Sequence, residues 1–444
     1  MNEQNRQTRP DAVPAGLSTP GEIRARWAWV EAEVWTESML TALENGVRGG
    51  KWFSLWDKVC SANTLRLAFE KVKSNGGSAG VDHVTVKAYE HNLETNLEQL
   101  RDELRSGKYR PQAIRRAWID KLGSKEKRPL GIPTVRDRVV QASLKVVLEP
   151  IFERRFAAHS YGFRPGCGCK DALHRVDDLL QQGYNWVVDA DLKSYFDTIP
   201  HYALVERMKE EVIDGKVLAL LEAFLQARVM EGAKGWTPEG GTPQGAVISP
   251  LLSNIYLNPL DQTMAENGIE MVRYADDFVI LCRTEADAQM ALTQVQQWTE
   301  QAGLTLHPVK TRIVDASQRG GFEFLGYHFE RGKNWARRKS EHKLKQGIRT
   351  VTRRNNGHSL ATIITKLNPM LRGWFEYFKH SSNDYGLERL DGWTRMRLRS
   401  ILRKRRGGRG RGRGHDHQRW PNAFFAGQGL FSLVTAYGSA CQSP

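Results

Sequence analysis

Residues 271–282 read MVRYADDFVILC, two apolar, β-branched runs on either side of one acidic pair. These runs predict two buried strands joined in a hairpin, with Asp276 and Asp277 at its tip. Adjacent carboxylates between apolar walls repel one another and lose hydration, and a bound cation is the usual compensation. Oxygen ligands with no neighbouring His or Cys favour Mg²⁺, which is held by carboxylates together with substrate phosphates. A solvated turn that happens to carry two aspartates is the rival reading of the stretch taken alone.

Working upstream, residues 186–192 form a second acidic strand. Asp189 and Asp191 lie two apart there and so share one face. Tyr195, Phe196 and Asp197 follow at the turn into a helix, and periodicity leaves open which of the three aspartates binds metal. The loop 240–245, GGTPQG, lets backbone approach a ligand closely, and Pro250 opens a helix over 251–260. Residues 109–133 turn basic and extended, with Arg115, Arg116, Lys121, Lys125, Lys127 and Arg128 before PLGIP. A hairpin with cations at its tip suits a triphosphate, and a solvated basic turn is its rival reading.

Outside these stretches the chain reads mostly as scaffold. Ile23, Trp27, Val30 and Val34 recur at helical spacing, and Val86, Tyr89, Leu93, Leu97, Leu100 and Leu104 make one helical stripe. Helices are also expected at 171–180 and 286–299. A short strand and turn are expected at 303–310, and an aromatic strand over 322–329. Beyond Arg331, residues 340–354, 360–378 and 387–402 are basic amphipathic helices. The Arg-Gly stretch 403–413 is expected to stay unpacked and contact phosphate flexibly, and 420–437 to dock as a small terminal element.

Lys and Arg outnumber Asp and Glu by 65 to 50 in 444 residues, which predicts a polyanionic partner. The five cysteines lack paired spacing, and no apolar run is long enough to span a bilayer. These features predict an intracellular protein without structural zinc or a membrane partner.

The boxes YADD at 274–277, DLKSYFD at 191–197, GTPQG at 241–245 with SPLL at 249–252, and LNPMLRGW at 367–374 occur in one order. That set resembles the reverse transcriptases of bacterial group II introns, of the maturase type, from about Trp35 onward. Further likeness lies at 128–133, 161–166, 303–310 and 324–327.

The resemblance implies an α+β right-hand polymerase with fingers, a ferredoxin-like palm and an α-helical thumb or maturase domain. It divides the chain into an N-terminal extension (1–58), fingers and palm (59–330), helical thumb (331–402) and a basic Arg-Gly tail with a DNA-binding segment (403–444). Asp191, Asp276 and Asp277 become the catalytic metal set for two Mg²⁺ ions, with Asp189 in support. Phe196 becomes the residue that excludes a ribose 2′-hydroxyl, with Tyr195 as fallback. Lys121 and Arg128 would hold the triphosphate, Gln244 and Gly245 line the nascent pair, and Lys310 sit near the leaving pyrophosphate. Implied partners are group II intron RNA, an RNA template, a DNA primer or target and dNTPs, in the bacterial cytoplasm and on the nucleoid during mobility. His415 and His417 come without paired cysteines, so no nuclease metal site is expected.

Overall fold

The computed structural model describes residues 20–47, 49–120, 127–382 and 385–442. Within them the strands are β1 (Ile114–Asp120), β2 (Lys127–Ile132), β3 (Trp186–Asp191), β4 (Val229–Glu231), β5 (Lys234–Trp236), β6 (Glu270–Tyr274), β7 (Asp277–Cys282), β8 (Arg312–Asp315), β9 (Phe322–Phe324), β10 (Tyr327–Glu330) and β11 (Lys333–Ala336). They form three sheets, ordered β2-β1-β4-β5, β6-β7-β3-β8 and β11-β10-β9. Helices pack between and around them, so the architecture is mixed α and β.

The middle sheet positions the site. Its strands alternate between two cores, as a pleated strand buried on both faces must. Val188 and Ala190 of β3 and Phe278, Ile280 and Cys282 of β7 enter a core shared with the helices Val135–Glu153, Ser249–Glu266 and Glu285–Gln301. Val187, Val279 and Leu281 enter a second core with the helix Cys169–Gln181 and the aromatics Phe322, Phe324 and Phe329. Asp189, Asp191 and Asp277 have the parity of this second face. The antiparallel register sets Asp191 opposite Asp277, and Asp189 opposite Arg312.

The first sheet is built on the basic hairpin. β1 and β2 pair from Arg115↔Ile132 to Asp120↔Lys127, and β4 lies parallel to β1. Lys121 and Lys125 belong to the tip, 121–126, outside the described residues. Later in the chain, the helices Arg338–Val351, Leu360–Phe378 and Tyr385–Arg405 form a bundle around Ile348, Leu367, Leu371 and Leu398. Trp420, Phe425 and Leu433 of the terminal segment join that core, and Asp391 caps its last helix through the Leu433 and Val434 amides.

Several elements differ from the sequence reading. The first helix stops at Arg26, although Trp27, Val30 and Val34 stay buried beyond it. The stripe over 86–104 breaks at Asn92 into Val86–His91 and Leu93–Arg105. Residues 303–310 hold no strand beyond the bridge Leu192↔Leu306, and the strand begins at Arg312. Residues 322–329 are two strands, because Leu325 and Gly326 both take positive φ, 45° and 87°, and fold β9 back on β10.

The expected boundaries also cut through structure. The one at 58 divides the helix Trp56–Val59, the one at 330 divides the β10–β11 hairpin, and the one at 402 divides the helix Tyr385–Arg405. The Arg-Gly stretch, expected to stay loose, is mostly exposed yet anchored at several points. Gly412 is buried against Arg399, where a Cβ would come within 2.7 Å of the Arg399 Cβ.

Candidate active site

β6 ends at Tyr274 and β7 begins at Asp277, so Ala275 and Asp276 alone make the turn. Ala275 takes φ 60°, a conformation that residues other than glycine rarely adopt. Two contacts hold it. A Cβ on Gly162 would lie 2.1 Å from the Ala275 amide nitrogen, so only glycine lets the 160–164 loop seat against the turn. Beneath it, the wholly buried Arg273 donates from Nη1 to the Ala275 carbonyl at 2.8 Å.

Arg273 spends every arm of its fork in this way. Nε donates to Asp261 Oδ1 at 2.7 Å, Nη1 also to Asn254 Oδ1 at 2.9 Å, and Nη2 to Ser160 Oγ at 2.7 Å and to Asp261 Oδ2. Asn254 in turn donates to the Gly162 carbonyl at 2.7 Å. The network ties the helix Ser249–Glu266, the 160–162 loop and the acidic turn into one unit. It was absent from the sequence reading, although an arginine inside an apolar strand is itself a signal that a buried counter-charge exists.

The acidic turn meets β3 on the shared face. Desolvation, joined by the nearby charges of Asp276, Asp189 and Asp191, pushes the Asp277 carboxyl up to about 7. Burial also raises Asp276, with Arg128 and Arg273 pulling the other way, and raises Asp189 against Arg312. Lys310 Nζ donates to Asp191 Oδ2 at 2.6 Å, in a loop stitched to β3 by His307 N to Asp191 O at 2.7 Å. Asp189 Oδ2 lies 3.3 Å from Arg312 Nε.

As placed, no three His, Cys, Asp or Glu side chains among the described residues stand close enough to hold a metal ion. The donor set still fits a hard divalent cation. Asp191 and Asp277 face one another across the strands with Asp276 in the turn, and Mg²⁺ takes one or two carboxylates with the remaining oxygens from phosphate and water.

A cavity of about 750 Å³ lies between the basic hairpin and the Gly-rich loop, lined by Arg116, Trp118, Phe196, Asp197, Trp236 and residues 240–243 among others, and not by Asp191, Asp276 or Asp277. Phe196 is on its wall. Tyr195, the fallback, is buried away from it and donates its hydroxyl to Ser253 O at 2.7 Å. The loop is laid on Phe196 by Thr242 N to Phe196 O at 2.6 Å. Gly241 has no room for a Cβ, which would lie 2.7 Å from the Asp197 backbone.

Arg128 Nε donates to Gln244 Oε1 at 2.9 Å and Gly131 N to Gln244 O at 2.7 Å, joining hairpin and loop. Gly245, at φ 107°, packs on Leu130 and the Gly131 carbonyl. Sequence reading missed Trp236, whose ring lies under Arg116 at 5.5 Å, because three-residue strands such as β5 show no period.

The family described as reverse transcriptase (RNA-dependent DNA polymerase) matches residues 119–329, and that described as group II intron, maturase-specific domain, matches 341–420. Protein YkfC of Escherichia coli (strain K12) is 33% identical over 327 residues, 65% of this chain and 84% of that protein. The chain belongs to the group II intron reverse transcriptases. This reverse transcriptase is thus of a family of RNA-directed DNA polymerases that work with divalent metal ions.

It is also 36% identical to the group II intron-encoded protein LtrA of Lactococcus lactis subsp. cremoris, over 44% of this chain and 32% of LtrA. A solved structure titled partial Cas6-RT-Cas1–Cas2 complex aligns at 24% identity with a TM-score of 0.35, covering 56% of this chain and 41% of that one, too loosely to carry weight. Among the described residues of the reverse transcriptase, no helix is long and apolar enough to cross a membrane.

Proposed function

We propose that this chain extends a DNA primer on an RNA template at Asp191, Asp276 and Asp277, and that its helical bundle binds group II intron RNA to assist splicing and mobility by target-primed reverse transcription. The observation that carries the reading is the placement of the carboxylates: Asp191 pairs in register with Asp277 across the strands, Asp276 is in the turn, and desolvation with the neighbouring charges raises the Asp277 carboxyl. Two Mg²⁺ ions at these carboxylates would activate the primer 3′-hydroxyl and stabilise the leaving pyrophosphate.

The chain's own groups do the rest. Arg128, with Lys121 from the hairpin tip, holds the triphosphate, and the wall at Phe196 leaves no room for a ribose 2′-hydroxyl. Gln244 and Gly245 line the nascent pair. Lys310, paired with Asp191, turns to the leaving phosphates once that carboxylate is engaged. In this reading 59–330 act as fingers and palm, 331–402 as thumb, and 403–444 contact DNA.

Primer extension on an RNA template with Mg²⁺ tests the assignment. Asp276→Asn should abolish extension while RNA binding, measured separately, persists. Undiminished extension would remove the metal site.

A further inference from the structure

After Asp391 the sequence contains a single acidic residue, Asp416, among eleven arginines and lysines between 395 and 419. Its carboxylate is spent on the Arg-Gly stretch: Asp416 Oδ2 accepts from Arg403 Nη1 at 2.6 Å and from the Arg413 amide at 3.1 Å. The stretch is fixed at further points. Arg403 Nε donates to the Arg409 carbonyl at 2.8 Å, and the Gly412 amide to Ser400 Oγ at 3.2 Å. Gly412 is the buried position, while Arg406, Arg409, Arg411 and Arg413 are exposed. Among the described residues no carboxylate pairs with those four guanidinium groups.

Holding like charges in a fixed loop costs repulsion that a loose tail would escape. The one acid nearby serves to fold the loop and leaves the outward charges unneutralised. Such a surface gains only when a polyanion binds, and pre-ordering then lowers the entropy lost by each arginine. We propose that residues 403–416 are a preformed clamp for the phosphodiester backbone of a nucleic acid, read by guanidinium groups at Arg409 and Arg411, with Asp416 as the pin that sets their geometry. Guanidinium forks suit phosphate oxygens and read no base. The proposal rests on nucleic acid being this chain's partner and on no catalytic step.

The test is equilibrium binding of the full chain to a labelled RNA hairpin and, separately, a DNA duplex of matching sequence, across a salt series without nucleotides. The double variant Arg409→Gln, Arg411→Gln should bind at least tenfold more weakly at moderate salt, and its slope of log affinity against log salt should flatten by about two. Asp416→Asn separates a shaped clamp from mere charge. It removes one negative charge, so unshaped electrostatics requires tighter binding, whereas the clamp requires weaker binding.

Equal losses on both probes mark a contact indifferent to the sugar, and a loss on one names the strand type that is held. An unchanged slope in the double variant on both probes, or tighter binding by Asp416→Asn, overturns the clamp. A wild-type chain that binds neither probe would instead overturn the proposed function along with it.

Discussion

The carboxyl of Asp277 faces Asp191 across the strands with Asp276 beside it in the turn, and burial with these charges lifts it to about 7. It therefore holds a proton more tightly in the folded chain than in the unfolded one. That contribution to stability is complete below the ordinary aspartate range and drains away as pH climbs through about 7. Asp277→Asn cannot ionise and escapes this loss. Asp277 stands at the exposed end of β7, so water screens part of the effect; melting curves in a chelator should still show wild type falling measurably relative to Asp277→Asn between pH 5 and 8, with added Mg²⁺ closing the gap. A difference that stayed constant with pH would mean that repulsion at this carboxylate is relieved by some other group.

The acidic hairpin is held as an element by Arg273, whose partners come from the helix Ser249–Glu266 and the 160–162 loop. Asp261→Ala strands a buried guanidinium and should cost about 3–5 kcal/mol in urea unfolding. Replacing both partners, Asp261→Leu with Arg273→Met, should recover much of that stability, since buried ion pairs are seldom worth their desolvation. Primer extension should stay low in the double variant, because the Ala275 carbonyl has lost its donor. Extension that recovered with stability would reduce Arg273 to scaffold. The hairpin and the facing strand were legible in the sequence because short apolar, β-branched runs interrupted by acidic residues read as strands buried on both faces. Arg273 was passed over as one charge in an apolar run. The turn at Leu325 and Gly326 was hidden by a leucine in a left-handed conformation, and β4 and β5 by their three-residue length. The Arg-Gly stretch misled for a different reason: composition predicts a loose chain, whereas its order comes from Arg399, Ser400 and Asp416, contacts that composition does not encode.

At the scale of the molecule, the two matched families meet through a shared core. Phe378, at the end of the helix Leu360–Phe378, is buried with Phe322, Phe324, Tyr327 and Phe329, beneath the sheet that carries the aspartates. Tyr327 donates its hydroxyl to the Tyr377 carbonyl at 2.6 Å, and Tyr377 returns a bond to the Leu325 carbonyl at 2.7 Å. Asn334 and Ser382 exchange backbone and side-chain bonds across the same seam. A chain ended after Arg337 would keep Asp191, Asp276 and Asp277, the carboxylates proposed to be catalytic, and the whole of the middle sheet, yet it would uncover this aromatic cluster. Losing a buried phenylalanine alone costs about 3–5 kcal/mol, a large share of what holds a domain folded. The shortened protein should therefore bind a hydrophobic dye and aggregate on a sizing column, with little primer extension. A monomeric product with a sharp unfolding transition near that of the full chain would show that the polymerase part stands alone. In that event the bundle would be free to reorient on nucleic acid without disturbing the carboxylates.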